Sequence, residues 1–233
     1  MAEVKEYLLK PTSLVPNSPL SLLHYKKVLS LGQLEPKGVQ RIFARNGWEV
    51  QWLVRYGSTQ RSHYHSAVHE CMAVFSGTAT IRFGVADTVE DMQENTWGSG
   101  SEAGGVEVGA EPGDLFIIPA GVAHKTYDAK PAMDFLRLTG GDGRSPGSGE
   151  NAAALLDGIV LSGFTMMGAY PVDGAPWDFS EGGEHTGRYD EVWKVPVPAK
   201  DPVFGESLAG LCGFWGKKTG GEMLEKLVSR SSL

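Results

Sequence analysis

Three of the six histidines lie within seven residues of one another, next to a glutamate, in the run HYHSAVHE at 63–70. His63 and His65 are two positions apart, so on a strand both imidazoles point to the same face. A turn at Ser66-Ala67 would bring Glu70 back alongside them on the next strand. Two imidazoles and one carboxylate on a hairpin are suitable ligands for a first-row divalent metal.

A fourth ligand is predicted from the segment GDLFIIPAGVAHKTYD at 113–128. Turn-forming residues precede and follow the apolar run LFII, which is typical of a short buried strand between two turns. His124 then begins a returning strand. The predicted metal ligands are therefore His63, His65, Glu70 and His124. They would hold one divalent transition metal, and the ligand types leave open whether it is Fe, Mn, Zn or Ni.

The other polar residues near this cluster have alternative interpretations. His69 competes with Glu70 as a ligand, but a regular strand would turn it to the opposite face, as a second-layer or surface histidine. Cys71 is predicted to point away from Glu70 for the same reason, and it and Cys212 are interpreted as reduced thiols. His185 is predicted to be a solvated loop residue. Either Trp52 or Arg55 is expected to line the pocket.

The elements that must position these ligands are short strands. The chain has 31 glycines and 13 prolines, which separate strand-like runs without any fixed period. This pattern predicts an all-β sandwich or barrel. The predicted strands are 48–56, 61–65, 68–75, 78–85, 106–108, 114–118, 123–127, 133–139 and 163–170.

The chain is predicted to be one domain over 1–233, with two loop insertions. Residues 1–47 form a proline-spaced N-terminal arm, which should cross a surface or pair as an edge strand, followed by a short helix over 37–46. The barrel comprises 48–139 and 163–205. Insertions at 86–105 and 140–162 contain acidic and glycine-rich loops, which are either lids or disordered. The C-terminal segment 206–233 should contain an amphipathic helix over 221–230.

The two histidine-bearing segments resemble the two motifs of the cupin superfamily. The first motif matches at Gly57, His63, His65, Glu70 and Gly77, and the second at Gly113, Pro119, Gly121 and His124. Asp128 stands where the second motif has Asn, so nine of ten motif positions match. Longer runs, including FARNGW at 43–48 and GAYPVDGAPWD at 168–178, are similar to the YjlB-like cupins. The resemblance implies an all-β, single cupin barrel (a double-stranded β-helix, or jelly roll) with short flanking helices, and the same four metal ligands.

Charge and composition exclude some partners and predict others. The net charge of -7 and the absence of basic clusters argue against nucleic acid. No apolar run is long enough for a membrane span, and the N-terminus lacks the pattern of a signal peptide, so a cytoplasmic protein is expected. Exposed strand edges need cover, and a partner barrel is the cupins' usual solution, so a homodimer is expected.

The function expected from these features is that of a metal-dependent cupin acting on a small oxygenated or carboxylated metabolite. The metal would serve a dioxygenase, a decarboxylase or lyase, or an isomerase. The alternative is a non-catalytic cupin module that binds a small ligand or stores metal. No catalytic acid or base and no residue for an organic cofactor can be named, and a fold does not specify a substrate.

Overall fold

The computed structural model describes residues 3–30, 32, 34–139, 154 and 156–216. Short strands dominate it, as the glycine and proline spacing predicts. The strands are β1 (Glu3–Tyr7), β2 (Leu22–Lys26), β3 (Trp48–Arg55), β4 (Glu70–Ser76), β5 (Thr78–Phe83), β6 (Val106–Ala110), β7 (Leu115–Ile118), β8 (His124–Lys130), β9 (Leu136–Arg137) and β10 (Thr165–Pro171). The helices are α1 (Pro36–Arg45), α2 (Met92–Trp97), α3 (Tyr189–Val192) and α4 (Leu211–Gly216).

The strands form two antiparallel sheets that face each other. The larger sheet has the order β1-β2-β7-β4-β10-β3-β9, and the smaller has the order β6-β5-β8. Apart from β1 and β2, neighbouring strands in the larger sheet are distant in the chain. For example, β4 lies between β7 and β10. This all-β architecture, with short helices outside the sheets, is the cupin barrel that the sequence predicts.

The larger sheet is buried on both faces. Its inner face packs against the smaller sheet in a barrel core that contains Met72, Ile81 and Phe116. Its outer face packs against α1 and the C-terminal residues of α4 in an outer core that contains Phe43 and Trp215. This explains why β4 and β10 have continuous apolar runs rather than an alternation of apolar and polar residues.

Helix α1 confirms the helix predicted over 37–46, shifted by one residue. It begins at Pro36, whose missing N–H costs nothing in the first turn, and it ends at Asn46 before Gly47. Val39 and Phe43 are buried, at the spacing that places both on the face toward the sheet.

The N-terminal arm is more deeply integrated than the sequence indicates. Strand β1 is an edge strand, as predicted, but β2 lies inside the sheet between β1 and β7. Four of its five residues are buried, because both of its faces are covered. The expectation that the whole arm lies on a surface or at an edge is therefore wrong for β2.

The acidic insertion 86–105 is folded rather than disordered. Asp91 caps α2 by accepting hydrogen bonds from the backbone N–H groups of Gln93 and Glu94 at 2.8 and 3.3 Å. Asn95 is fully buried. Glu102 accepts hydrogen bonds from the hydroxyls of Thr12 and Ser13, both at 2.8 Å, so this loop is bound to the N-terminal arm.

Two predicted features lie outside the described residues. These are the glycine-rich part of the second insertion, at 140–151, and the helix predicted over 221–230. Among the described residues, no helix has the length and apolar character needed to cross a membrane.

Candidate metal centre

His63 and His124 face each other across a two-residue antiparallel bridge. The N–H of His63 donates to the carbonyl of His124 at 3.2 Å, and the reverse hydrogen bond is 2.8 Å long. Their ring centroids are 4.3 Å apart, and the ring of His65 lies 5.7 Å from each. The predicted strand 61–65 is therefore present only as isolated bridges, in which His63 pairs with His124 of β8 and Tyr64 pairs with Ser180, where the sequence suggested a hairpin with β4.

Each imidazole is oriented by a backbone carbonyl. The Nδ1 atoms of His63 and His124 lie 3.1 and 3.3 Å from the carbonyl oxygens of Arg61 and Val122. The Nδ1 of His65 contacts the carbonyl of Asp178. A carbonyl accepts only, so each Nδ1 carries the hydrogen and each Nε2 of a neutral ring keeps its lone pair. One ligand nitrogen from each of the three rings lies within 4.8 Å of the others.

Glu70, the first residue of β4, brings its carboxylate to this cluster. Its Oε1 lies 3.3 Å from Nε2 of His65, and its Oε2 lies 3.3 Å from Nε2 of His124. Tyr170 donates its hydroxyl to Oε1 at 2.5 Å. Burial opposes ionisation of Glu70, but the two histidines and the tyrosine outweigh it and lower its pKa to about 2. The side chain is therefore a carboxylate.

The titration of the histidines is consistent with this arrangement. Burial lowers the pKa of His63 and of His124, and mutual repulsion among the rings adds to the effect. Burial also acts against protonation of His65, but Glu70 outweighs it and raises that pKa. Two neutral rings and one carboxylate therefore face the centre, and His65 is the only one of these four side chains whose pKa is shifted toward protonation.

The ligand atoms of this cluster fit a divalent transition metal. Oε2 of Glu70 is buried and has no hydrogen-bond donor among the described residues, and the two neutral Nε2 atoms carry lone pairs. A cluster of buried acceptors without a donor is costly, and a cation would satisfy all of them. The carbonyl contacts at Nδ1 are the outer hydrogen bonds that orient histidine ligands in metal proteins.

Asp178 supports the site, although the sequence gives no periodic signal for it. Its carboxylate accepts hydrogen bonds from the N–H groups of Ser66 and Ala67 and from the hydroxyl of Ser180, at 2.8, 3.1 and 3.0 Å. Its own carbonyl contacts His65. Asp178 therefore holds the turn after His65 and the ring itself. Asp178 is the last residue of the run 168–178. The similarity of that run to the YjlB-like cupins was the only signal in the sequence that pointed to this residue.

Three aromatic side chains form the walls of the site. Phe179 stacks on His63 with centroids 4.0 Å apart, and about half of its surface (51%) is exposed. Trp177 packs edge-on against His65 at 5.7 Å. Trp52 donates its indole N–H to the hydroxyl of Tyr170 at 3.1 Å. Of the two candidates on β3, Trp52 thus faces the site.

Arg55 faces away from the site. It donates hydrogen bonds to the carbonyl of Asp134 at 2.9 Å and to the hydroxyl of Ser162 at 3.0 Å. Arg55 lies three positions after Trp52 on β3, so strand alternation turns it to the opposite face. The alternative that Arg55 lines the pocket is therefore wrong.

Comparison with known proteins gives a relative and a fold. No family model matches the chain. The uncharacterized protein YjlB of Bacillus subtilis (strain 168) is 26% identical over 208 residues, which cover 88% of this chain and 92% of YjlB. The chain has the cupin fold and resembles YjlB. The relative's description names no activity.

Solved structures similar to this chain are distant. RmlC from Streptococcus suis, in complex with dTDP-D-xylose, is 10% identical, with 72% of this chain and 70% of RmlC covered, at a TM-score of 0.30. A vicilin from Solanum melongena is 14% identical with a TM-score of 0.29, and the match covers 55% of this chain and only 24% of the vicilin. At these TM-scores the matches carry no information about ligand or activity.

The cupin motif positions that are not ligands have structural roles. Gly113 has a φ of +92°, and a Cβ there would come within 2.6 Å of the carbonyl oxygen of Leu29. Asp128, which replaces the motif's Asn, has a φ of +53°. Both Asn and Asp tolerate this left-handed conformation better than other non-glycine residues, so the departure from the motif preserves the backbone at this irregular position of β8.

The remaining candidates lie away from the centre. His69 is buried in the outer core against Trp215 at 5.0 Å, and its Nδ1 accepts from the N–H of Ala120 at 3.0 Å. It is thus not a surface residue. Cys71 also faces the outer core, as strand alternation predicts. His185 is half-buried, with Nδ1 2.9 Å from the hydroxyl of Tyr64, so the prediction of a solvated residue is wrong.

We expect Glu70→Gln to weaken metal binding strongly, by about 10–100-fold or more, because the loss of a ligand should exceed the effect of removing an outer hydrogen bond. His69→Gln is the matched control, since it changes the adjacent residue on the opposite face of β4. Competition against a chromophoric chelator would measure both affinities. If the His69 change removes the metal and the Glu70 change does not, the assignment of ligands is wrong.

Proposed function

We propose that the chain is a metal-dependent cupin enzyme that acts on a small oxygenated or carboxylated metabolite. The observation that supports this most directly is the convergence of three carbonyl-oriented imidazoles and the Glu70 carboxylate at one buried point. We infer that His63, His65, Glu70 and His124 hold one divalent metal. Four protein ligands would leave two positions of an octahedral ion for substrate, or for substrate and dioxygen.

A metal held there would supply Lewis acidity or oxygen activation, as dioxygenase, decarboxylase or isomerase chemistry requires. The protein supplies the surroundings. Trp177 and Phe179 limit water around His65 and His63. Burial and Glu70 raise the pKa of Tyr170, so its hydroxyl remains protonated and acts as a hydrogen-bond donor at the edge of the centre rather than as a base.

The first test is the metal content of the full chain purified without chelator. We expect about one equivalent of a transition metal per chain, because the four proposed ligands form one site. For comparison, the protein is treated with chelator and then reconstituted separately with Fe(II), Mn(II), Zn(II) or Ni(II). Less than about a tenth of an equivalent in every form would refute the metal site.

The second test is turnover by the reconstituted forms. Keto acids, phenols and sugars are offered to each metal form, with oxygen uptake and product formation as readouts. Chelator-treated protein should be inactive, and activity should return with the metal. A metal-loaded protein that turns over nothing on this panel would favour the alternative, a cupin that binds a small ligand or stores metal without catalysis.

A further inference from the structure

A cavity lies beside the metal centre. It has a volume of about 210 Å³ and is lined by Glu49 and Gln51 of β3, by Tyr170, and by residues 171–172 and 174–177. Tyr170 and Trp177 belong to both places, because each also contacts His65. The volume is below the roughly 300 Å³ of pockets that hold drug-sized molecules, so the cavity suits a small group.

A β-bulge places the polar residues of this cavity. Trp52 pairs with Gly168 and Val50 pairs with Ala169, which leaves Gln51 without a partner on β10. An extra residue of this kind bends its strand and redirects side chains. Here it allows Glu49 and Gln51 to line the cavity while Trp52 faces the metal centre.

Glu49 is the only charged side chain among the described residues that line the cavity. Gln51 donates its Nε2 hydrogen to Oε2 of Glu49 at 2.9 Å, which fixes the orientation of the amide and leaves its Oε1 on the other side. Gln51 is only 8% exposed, and this Oε1 has no hydrogen-bond partner among the described residues. Glu49 likewise has no ion pair with any described Lys, Arg or His. Because the Oε1 of Gln51 is inaccessible, the acceptor that a ligand in the cavity can reach is the Glu49 carboxylate, whose charge has no counter-ion among the described residues and therefore favours a cationic donor.

The walls favour the same ligand. Tyr170 and Trp177 are parallel within 12°, with ring centroids 6.1 Å apart. The faces of aromatic rings attract ammonium and guanidinium groups. Arg45 and Lys200 line a separate groove on the far side of Pro171 and Val172, and neither of them lines this cavity. No positive side chain of the described residues therefore lines the cavity itself.

We propose that this cavity binds the primary ammonium or guanidinium group of a small molecule. The carboxylate of Glu49, held in place by the Nε2 hydrogen of Gln51, accepts its N–H groups, and Trp177 covers its apolar part. This binding stands independently of the metal. The further statement that the same molecule is the substrate, with its reacting end at the metal, rests on the proposed function.

The test uses the full chain and four probes of similar size: n-butylammonium, methylguanidinium, n-butanol and butyrate. Isothermal titration, supported by the total tryptophan fluorescence of the chain, gives the affinities. We expect each cation to bind at least about 10-fold more tightly than butanol, since a hydrogen bond to a charged group is worth about one tenfold step or more. Equal binding of butanol or butyrate, or no saturable binding of either cation, overturns the proposal.

Two variants distinguish the effect of the Glu49 carboxylate on binding from the effect of the overall negative charge nearby. Glu49→Gln keeps the shape of the side chain and should weaken the binding of both cations about 10-fold. Asp173→Asn removes an equal charge from the neighbouring loop, outside the cavity, and should leave binding within about twofold. Equal losses in both variants would show a diffuse electrostatic effect and refute the site.

Metal content is measured on the same samples. Glu49→Gln should keep the metal content of the unchanged chain, because Glu49 contacts none of the four proposed ligands in the described structure. Cation binding by a chain that holds no metal would refute the proposed function and leave the cavity assignment intact. Metal binding without cation binding would refute the cavity assignment and leave the proposed function intact.

Discussion

Replacement of His124 by alanine is expected to reduce bound metal from about one equivalent to below about a tenth. The change removes one of three clustered nitrogens, and Oε2 of Glu70 loses the imidazole that lies 3.3 Å away. Two histidines and a carboxylate would remain, but the centre would then be open to water. Elemental analysis after dialysis against metal-free buffer measures the loss.

Thermal unfolding gives an independent measure of the same change. A metal present at 100 times its Kd stabilises the native state by about 2.7 kcal/mol, which corresponds to roughly 5–10 °C in the melting temperature of a chain of this size. The unchanged protein should show this increase on addition of metal, and His124→Ala should not. His185→Ala is the control, because His185 contacts Tyr64 and lies outside the cluster. An equal response of the two variants would contradict the site.

Asp201→Ala is expected to cause the largest loss of stability. Asp201 is fully buried, and its Oδ2 accepts from the hydroxyl of Tyr25 at 2.6 Å and from the N–H of Leu211 at 2.8 Å. Its Oδ1 accepts from the N–H groups of Val203 and Phe204, both at 2.8 Å. Alanine would leave these donors buried without partners, at about 1–3 kcal/mol each. We expect a total loss of roughly 4 kcal/mol or more, and a melting temperature lower by about 10 °C or more.

The control for this prediction is Asp190→Ala. Asp190 is an exposed residue of α3 that pairs with Lys194, so its removal should leave the melting temperature unchanged. Below its own melting temperature, Asp201→Ala should still bind metal, because Asp201 belongs to the outer core side of the sheet. A melting temperature equal to that of the unchanged protein would show that water replaces the lost carboxylate.

The sequence alone predicted the local elements well. Helix α1 and strand β3 occur where helical spacing and a run of strand-forming residues predicted them, because both signals depend on residues only a few positions apart. The same local rule turned Glu70 toward the centre and His69 and Cys71 away from it. The resemblance to the two cupin motifs brought His124 into the predicted ligand set, and the structure places it beside His63. The metal itself and the homodimer remain predictions.

The tertiary structure decided what depends on contacts between distant segments. Strand β2 became an interior strand because β1 covers its edge and both sheet faces are buried, which no property of its own five residues reveals. Residues 86–105 fold because Asn95 is buried and Glu102 binds the N-terminal arm, although their composition is that of a solvated loop. Tyr170 and Asp178 reach the centre from the end of the barrel sequence. Only the closure of the barrel, which joins residues distant in the chain, brings such side chains together, because their spacing in the sequence carries no periodic signal.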